Sequence, residues 1–330
     1  MLTFVRQAQE PGDIYLLDVS RAQTHNLTHH PASDRAPAWS PDGQRLAFIS
    51  DRSGKAQLYL IDVPGHMRDL QPLISQSIAP GYHPIWSPDG QSLIVEISHG
   101  NSDLYLLDPN CQREGRDCDQ ALHALVRDPT DDRFPVWSPD QTSIAFVTWR
   151  TGDAEIFSVT PDGSDLRNLS NSREWDIGPS WSPDGGEIAF FSLRDVHREV
   201  YVLSLADGRL HRLTNESNPY NTQNSTAPAW SPDGQRLAYV TLVQNNADIA
   251  LIDAHCPPTT DDCAQTRVLI ASSSAADINP FWSTDGRSLY FLSDRQGHLA
   301  VFRVDLDCLT CSPVRVTDPD YHSLSPVWRP

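Results

Sequence analysis

The sequence predicts an all-β fold, a seven-bladed antiparallel β-propeller, from three observations. A motif of the form Pro-x-Trp-Ser-Pro-Asp-Gly recurs along the whole chain of 330 residues. Its copies lie roughly 45 to 50 residues apart, a period typical of propeller blades and solenoids. Short apolar or aromatic runs flank each copy, and no amphipathic stretch of helical period lies between the copies. Four antiparallel strands per repeat are therefore expected, which is the make-up of a propeller blade.

The motif occurs in intact, altered and truncated copies. Two copies carry one change each, with Gln141 in place of Gly and Thr284 in place of Pro. The repeat tryptophans are Trp39, Trp86, Trp137, Trp181, Trp230, Trp282 and, in the truncated last copy, Trp328. A large aromatic side chain at the same place in every repeat is expected to pack between neighbouring blades.

Each part of the motif has a local physical role. In the first copy Pro41 presets its backbone angle, Asp42 hydrogen-bonds the backbone of its own turn, and Gly43 accepts the left-handed conformation. The unit is therefore strand, tight turn, strand. A third strand is predicted over residues 57–62, and the weaker fourth strand of a blade ends in Leu-Thr, as at residues 211–214.

The two ends of the chain are predicted to share one blade. Residues 1–30 contain a second strand (2–6), a third (13–18) and a fourth, but no opening strand. Residues 323–330 supply the missing strand, so a composite blade closes the ring and removes the exposed edges of an open sheet. We expect one propeller domain over residues 1–330, with six continuous blades between the shared strands.

Composition restricts the partners. The formal net charge of −18 disfavours nucleic acid and anionic lipid surfaces, both of which attract basic proteins. No apolar stretch approaches the roughly 18 residues of a membrane helix, so direct insertion into a membrane is not expected. No signal-peptide pattern precedes the first predicted strand, so a leader is expected to be absent from this chain.

The six cysteines form three close pairs, each placed after the third strand of a repeat. The pairs are Cys111 and Cys118, Cys256 and Cys263, and Cys308 and Cys311. A bridge there would join the two ends of a hairpin loop, where disulfide geometry can be met. A metal site is the rival interpretation, but the pairs lie on different blades and no histidine shares their spacing. Disulfides favour a periplasmic or extracellular location.

The repeated motif, followed by Asp-Arg-x-Gly and by Leu/Ile-Tyr-x-x-Asp, resembles the TolB-type propeller repeat. The best matches are residues 36–63, 84–108 and 228–253. The resemblance implies a propeller and, by analogy with TolB, protein–protein contact in the bacterial envelope. TolB itself has six blades after a separate N-terminal domain, whereas seven blades are counted here, so the resemblance is to the family and not to TolB itself.

Two enzyme groups carry similar propellers. Prolyl-oligopeptidase relatives add an α/β-hydrolase domain, and this sequence has no Gly-x-Ser-x-Gly elbow. Oligogalacturonate lyases resemble a seven-bladed version with a histidine cluster that holds a metal. Only His83 and His322 lie directly before a repeat tryptophan segment in this chain, so the catalytic residues of that family cannot be carried over.

The candidate ligand site is a ring of residues at the start of the innermost strands, at the predicted mouth of the channel. Its members are Asp34, Arg35, Tyr82, His83, Asp132, Arg133, Trp175, Asp176, Asp277, Tyr321 and His322. Carboxylates suit a hard cation such as calcium, or a basic group on a ligand, and aromatic rings suit a sugar or a peptide.

The two Asp-Arg pairs of this ring either form ion pairs or leave all four acids available to a ligand, and the sequence leaves both arrangements open. If Asp34 pairs with Arg35 and Asp132 pairs with Arg133, then Asp176 and Asp277 remain as unpaired carboxylates. Two further acids, Asp51 and Asp294, repeat the same loop position and are expected to hydrogen-bond the amides of their own loops.

These patterns favour a non-catalytic binding propeller that recognises a protein segment or a small ligand. The alternative is a carbohydrate-active lyase or hydrolase with a metal at the channel mouth, which would need convergent titratable groups in one pocket. A third possibility is a structural domain of a larger receptor. We expect a monomer or a part of a larger envelope protein, with no cofactor other than calcium at the mouth.

Overall fold

The computed structural model describes residues 1–7, 11–63, 70–215, 227–255, 266–270, 273–308 and 311–330. The chain folds as a seven-bladed antiparallel β-propeller, as the sequence predicts. Among the described residues no helix has the length and apolarity that a membrane crossing requires.

The chain divides into two compact units, residues 1–135, 160–164 and 317–330 (unit 1) and residues 136–159 and 165–316 (unit 2). The prediction of one domain over 1–330 stays a prediction.

Unit 1 contains the N-terminal blades and the C-terminal strand. Its sheets have the orders β27-β1-β2-β3, β4-β5-β6 and β10-β9-β8-β7. The strands are β1 (Leu2–Gln7), β2 (Asp13–Asp18), β3 (Gln23–Asn26), β4 (Asp34–Trp39), β5 (Arg45–Ser50), β6 (Gln57–Asp62), β7 (Ile85–Trp86), β8 (Leu93–Ser98), β9 (Ser102–Leu107), β10 (Leu122–Val126) and β27 (His322–Trp328).

Unit 2 contains the remaining blades, with the orders β11-β12-β13-β14, β15-β16-β17-β18, β19-β20-β21-β22 and β23-β24-β25-β26. Its strands are β11 (Asp132–Trp137, which enters unit 2 at Val136), β12 (Ile144–Thr148), β13 (Glu155–Val159), β14 (Arg167–Asn168), β15 (Asp176–Trp181), β16 (Glu187–Asp195), β17 (His197–Ser204), β18 (Leu210–Arg212), β19 (Ala229–Trp230), β20 (Arg236–Val243), β21 (Asn246–Asp253), β22 (Val268–Leu269), β23 (Asp277–Trp282), β24 (Ser288–Ser293), β25 (Ala300–Asp305) and β26 (Val314–Arg315).

The shared blade is confirmed. Strand β27 pairs antiparallel with β1, so that Leu2 lies opposite Trp328 and Gln7 lies opposite His322. A backbone hydrogen bond of 3.0 Å from Arg329 to the carbonyl of Met1 extends this pairing. The last strand thus covers the edge that β1 would otherwise expose.

The Ser-Pro-Asp-Gly turn is held by side chains as well as by backbone. In the first copy the Ser40 hydroxyl donates to Asp42 Oδ1 at 2.5 Å and accepts the Arg45 amide at 2.9 Å. Asp42 Oδ1 also accepts the Gln44 amide at 3.0 Å, and Gly43 has a φ of +65°. The hydrogen bond from Ser40 is the main reason why the pKa of Asp42 is lowered. The predicted turn chemistry is confirmed.

The repeat tryptophans connect consecutive blades by hydrogen bonds as well as by packing. Within unit 1 the Trp86 indole donates to the carbonyl of Ala38, the residue before Trp39, at 3.1 Å. Within unit 2 the same bond to the preceding blade is made by Trp181, Trp230 and Trp282, at 3.2, 3.0 and 2.9 Å. The rings of Trp39, Trp86 and Trp282 are buried, whereas those of Trp137, Trp181, Trp230 and Trp328 are partly exposed.

Two of the three predicted disulfides are present. Cys111 and Cys118 are joined in the loop between β9 and β10, and Cys308 and Cys311 between β25 and β26. Cys256 and Cys263 lie outside the described residues. No cysteine in the described part of the chain is free. Disulfides persist in oxidising compartments, so they indicate a location outside the cytoplasm.

Candidate functional site

The innermost strands of five blades share a bulge three residues before the repeat tryptophan. The residues with positive φ at this place are Ala36 (+53°), Phe134 (+55°), Gly178 (+67°), Asn279 (+54°) and Ser325 (+48°). The register of strand pairing shifts at the same point in β4, β15, β23 and β27. A bulge bends a strand and redirects the neighbouring side chains, which is frequent beside binding sites.

This bulge was not predicted, although the sequence carries its signal. A proline follows each of these residues, for example Pro37 after Ala36 and Pro135 after Phe134. Proline cannot donate to the strand ladder and is confined to edges, strand starts and bulges. A proline inside an apparent strand therefore indicated the irregularity.

The first residue of β4 is a buried carboxylate held by an arginine from the next loop. Both oxygens of Asp34 accept hydrogen bonds from Arg52 Nη2, at 2.9 and 3.0 Å. Arg52 Nε donates to Ser50 Oγ at 2.9 Å, and the guanidinium lies 5.0 Å from the centre of the Tyr59 ring. Asp34 is thus fully paired and is inaccessible to solvent.

Unit 2 repeats this arrangement twice. Arg194 Nη2 donates to Asp176 at 2.9 Å, and Arg295 Nη2 donates to both oxygens of Asp277 at 2.9 and 2.8 Å. Both carboxylates are inaccessible to solvent, and burial raises the pKa of each against the effect of its arginine. The arrangement in which Asp176 and Asp277 remain unpaired is therefore wrong, because an arginine 18 residues later in the chain reaches each of them.

The two pairings between adjacent residues that the sequence left open are not formed either. Asp34 pairs with Arg52 and not with Arg35. Arg133 binds Glu96, with Nε 3.2 Å from Oε1, and its Nε lies 3.8 Å from Asp131. Adjacent residues of an extended strand point to opposite faces, which separates each Asp from the Arg that follows it.

Two loop acids bind a different partner from the one expected. Asp51 Oδ1 accepts the amide of Ser33 at 2.9 Å, and Asp294 Oδ1 accepts the amide of Ala276 at 2.9 Å. Each acid therefore anchors the crossing segment that enters its own blade, rather than the amides of its own loop.

The aromatic and histidine members of the predicted ring differ in exposure. Tyr82 is buried and its hydroxyl donates to the carbonyl of Ile94, whereas His83 is exposed. Tyr321 lies under the guanidinium of Arg6, 3.4 Å from the ring centre. His322 opens β27 opposite Gln7.

Two aromatic side chains stand out by their exposure. Trp175 of unit 2 is 38% exposed, and its carbonyl accepts the Leu193 amide at 3.0 Å. Phe134 of unit 1, which sequence reasoning missed, is 51% exposed and occupies a bulge position. Positive φ is uncommon for a bulky residue and is concentrated at functional sites.

The predicted ring divides between the two units. Unit 1 holds Asp34, Arg35, Tyr82, His83, Asp132, Arg133, Tyr321 and His322, and unit 2 holds Trp175, Asp176 and Asp277. Among the described residues, no three His, Cys, Asp or Glu side chains are grouped so that they could hold a metal ion. The placement of the ring residues together at a channel mouth stays a prediction, and so does calcium binding there.

Comparison with known proteins gives one family. The family model described as the TolB beta propeller domain matches residues 1–71, 118–227 and 159–330. A protein TolB homolog of Chlorobium luteolum is 32% identical over 157 residues, which are 47% of this chain and 33% of the relative. This chain thus aligns with about a third of that relative's length.

Solved structures share the fold. TolB of Acinetobacter baumannii superposes with a TM-score of 0.57 at 20% identity, over 81% of this chain and 62% of that one. An oligogalacturonate lyase of Vibrio parahaemolyticus superposes with a TM-score of 0.65 at 15% identity, over 90% of this chain and 84% of that one. At these identities the likeness concerns the fold alone.

Proposed function

Because the chain belongs to the TolB beta propeller domain family, we propose that it is a non-catalytic binding propeller that recognises a protein segment in the periplasm or outside the cell. TolB-like propellers work through protein contacts, which supports a protein partner. The disulfides support a compartment outside the cytoplasm.

One observation carries this proposal beyond the family. The first residues of β4, β15 and β23 are aspartates whose carboxylates form buried ion pairs. The pairs are Asp34 with Arg52, Asp176 with Arg194 and Asp277 with Arg295. Acid–base chemistry needs titratable groups that a substrate can reach. Two exposed aromatic side chains lie at innermost strands, Phe134 within β11 and Trp175 directly before β15. Large exposed rings are the groups that contribute most to protein contacts.

The proposal is tested by calorimetric titration with a panel of peptides that represent envelope proteins. Phe134→Ala and Trp175→Ala are compared with Leu166→Ala, which removes an apolar side chain of similar exposure elsewhere on the surface. Loss of an aromatic anchor should weaken binding by roughly tenfold or more, whereas the control should bind like the parent.

Calcium and an oligogalacturonate panel are included as separate arms. Peptide binding that depends on Phe134 or Trp175 supports the proposal. Turnover of an oligogalacturonate, or a panel in which no peptide binds, overturns it. Substitution of Asp176 or Asp277 is unsuitable here, since it would break a buried ion pair and confuse binding with stability.

A further inference from the structure

Glu96 is a charged residue at a position that is apolar in the other continuous blades. It lies in β8, ten residues after Trp86. The residues ten positions after the other repeat tryptophans are Ile49, Val147, Phe191, Val240 and Leu292, all of them buried. Glu96 is itself only 3% exposed. A buried acid that replaces a core residue in one repeat costs stability, which suggests a function at this site.

The surroundings of Glu96 come from several segments of unit 1. From β11, Arg133 Nε lies 3.2 Å from Oε1, and the Phe134 amide hydrogen-bonds the carboxylate. From β9, the Ser102 hydroxyl is a hydrogen-bond partner. From the segment directly before β11, the negative charge of Asp131 opposes ionisation. From the segment before β7, buried Tyr82 is within electrostatic reach. Burial outweighs these contacts and raises the pKa of Glu96 to about 7.

Arg133 connects this buried acid to the surface. Its side chain is 31% exposed. Its Nε and Nη2 approach Ser102 Oγ at 3.3 Å each. These contacts and the one to Glu96 use Nε and Nη2, so within the described residues the donors of Nη1 are available to a ligand. A guanidinium fork with free donors is well suited to a carboxylate.

Phe134 follows Arg133 at the bulge, where the alternation of faces is interrupted, and the Phe134 amide and the Arg133 guanidinium contact the same Glu96 carboxylate. The Phe134 ring is half exposed, and the φ of this residue is +55°. An arginine beside an exposed ring matches a ligand in which a carboxylate adjoins an apolar side chain. The end of a polypeptide with an apolar last residue has this chemistry.

We propose that Arg133 and Phe134 form a subsite for the free α-carboxylate at the end of a protein segment whose last side chain is apolar, and that Glu96 controls this subsite by gaining or losing a proton. The inference rests on the proposed function, because it specifies which part of a protein ligand is bound.

The control follows from charge. An ionised Glu96 offsets the positive charge of Arg133 and, with Asp131, repels an incoming carboxylate. A protonated Glu96 leaves Asp131 as the remaining acidic neighbour of Arg133, so more of the positive charge of the guanidinium is available to a carboxylate. If only the protonated form binds, the apparent affinity scales with its population, which changes about tenfold between about pH 6 and about pH 8 for a pKa near 7. Binding should therefore be tighter at the lower pH.

The test uses two peptide pools with randomised sequences that end in Phe, Leu or Ile, one with a free carboxylate and one amidated. Titrations of the parent chain should show binding of the free pool, at least about tenfold weaker binding of the amidated pool, and a loss of about tenfold between about pH 6 and about pH 8. Glu96→Gln should retain binding at both pH values without the pH dependence.

Arg133→Gln should lose the preference for the free carboxylate, while Arg209→Gln, an exposed arginine of unit 2, serves as the matched control and should behave like the parent. Thermal unfolding confirms that each variant is folded. If both pools bind equally and Phe134→Ala weakens both, the carboxylate subsite is wrong and the binding propeller stands. If the pH dependence persists in Glu96→Gln, the control by Glu96 is wrong. If neither pool nor the envelope peptides bind, the proposed function fails as well.

Discussion

Replacing Arg295 by Met should destabilise the protein by about 3 to 5 kcal/mol, the usual cost of leaving one partner of a buried ion pair alone. Arg295 donates to both oxygens of Asp277 at 2.9 and 2.8 Å, and that carboxylate is inaccessible to solvent. Methionine keeps an unbranched apolar side chain at this site, where the Arg295 guanidinium carbon lies 5.4 and 5.0 Å from the ring centres of Phe291 and Phe302. The loss is therefore attributed to the unpaired charge rather than to a cavity.

The measurement is the free energy of unfolding in urea, followed by circular dichroism and by tryptophan fluorescence. The double variant Asp277→Asn, Arg295→Met should recover a large part of the loss, because neither charge remains. Arg303→Met is the matched control, since its partner Asp305 is 50% exposed and such pairs contribute about 0 to 1 kcal/mol. A loss for Arg295→Met that equals the control would refute the role given to these pairs.

Three further predictions concern closure, the cystine loop and pH. Deletion of residues 323–330 should expose the edge of β1 and lower the melting temperature sharply, and an unchanged melting temperature would contradict the closure. Reduction of the Cys111–Cys118 bridge should cost on the order of 2 to 3 kcal/mol in urea unfolding, against a non-reduced control. Glu96→Gln should raise the free energy of unfolding by about 3 kcal/mol near pH 8 and by little near pH 4.5. The reason is that the folded-state pKa of Glu96, about 7, lies above its unfolded value, so the stability of the parent falls as pH rises through this window. Parallel curves of unfolding free energy against pH for parent and variant would rule this out.

The blade architecture could be predicted because its signals are local and repeated. The turn of Ser40, Asp42 and Gly43 depends on residues that are neighbours in sequence, and its serine-to-aspartate hydrogen bond recurs in the next five copies. The pairing of β27 with β1 followed from a strand that one repeat lacks and the chain end supplies. The turn needs no contact between distant residues, and the one distant contact, between β1 and β27, follows from the count of strands per repeat.

The buried Asp-Arg ion pairs could not be predicted by pairing residues that are neighbours in the sequence. Asp176 lies opposite Ser192 in the pairing of β15 with β16, so the residue that reaches it is Arg194 and not a sequence neighbour. The signal was nevertheless present, because the Asp-to-Arg spacing of 18 residues recurs at Asp34 and Asp277. Aligning the repeats with each other, rather than reading along the chain, would have revealed it.

Glu96 was missed for a related reason. A single glutamate in an apolar strand is not part of any local motif. It stands out only when it is compared with the apolar residues at the same position of the other blades. Its partner Arg133 comes from the next blade, and no pattern within either strand predicts that contact. The exposure of Phe134 depends on the bulge, which a regular alternation of faces does not predict.

The pairing of β1 with β27 also has a consequence for biosynthesis. Contacts of the shared blade join the two ends of the chain, as in the hydrogen bond from the Arg329 amide to the carbonyl of Met1. At a translation rate of about 5 to 20 residues per second, the first strand waits on the order of 15 to 60 seconds before its partner exists. During that interval its backbone donors and acceptors on one side can pair with other chains. The open edge of β1 is thus an association hazard for the whole time that the chain takes to reach its last strand.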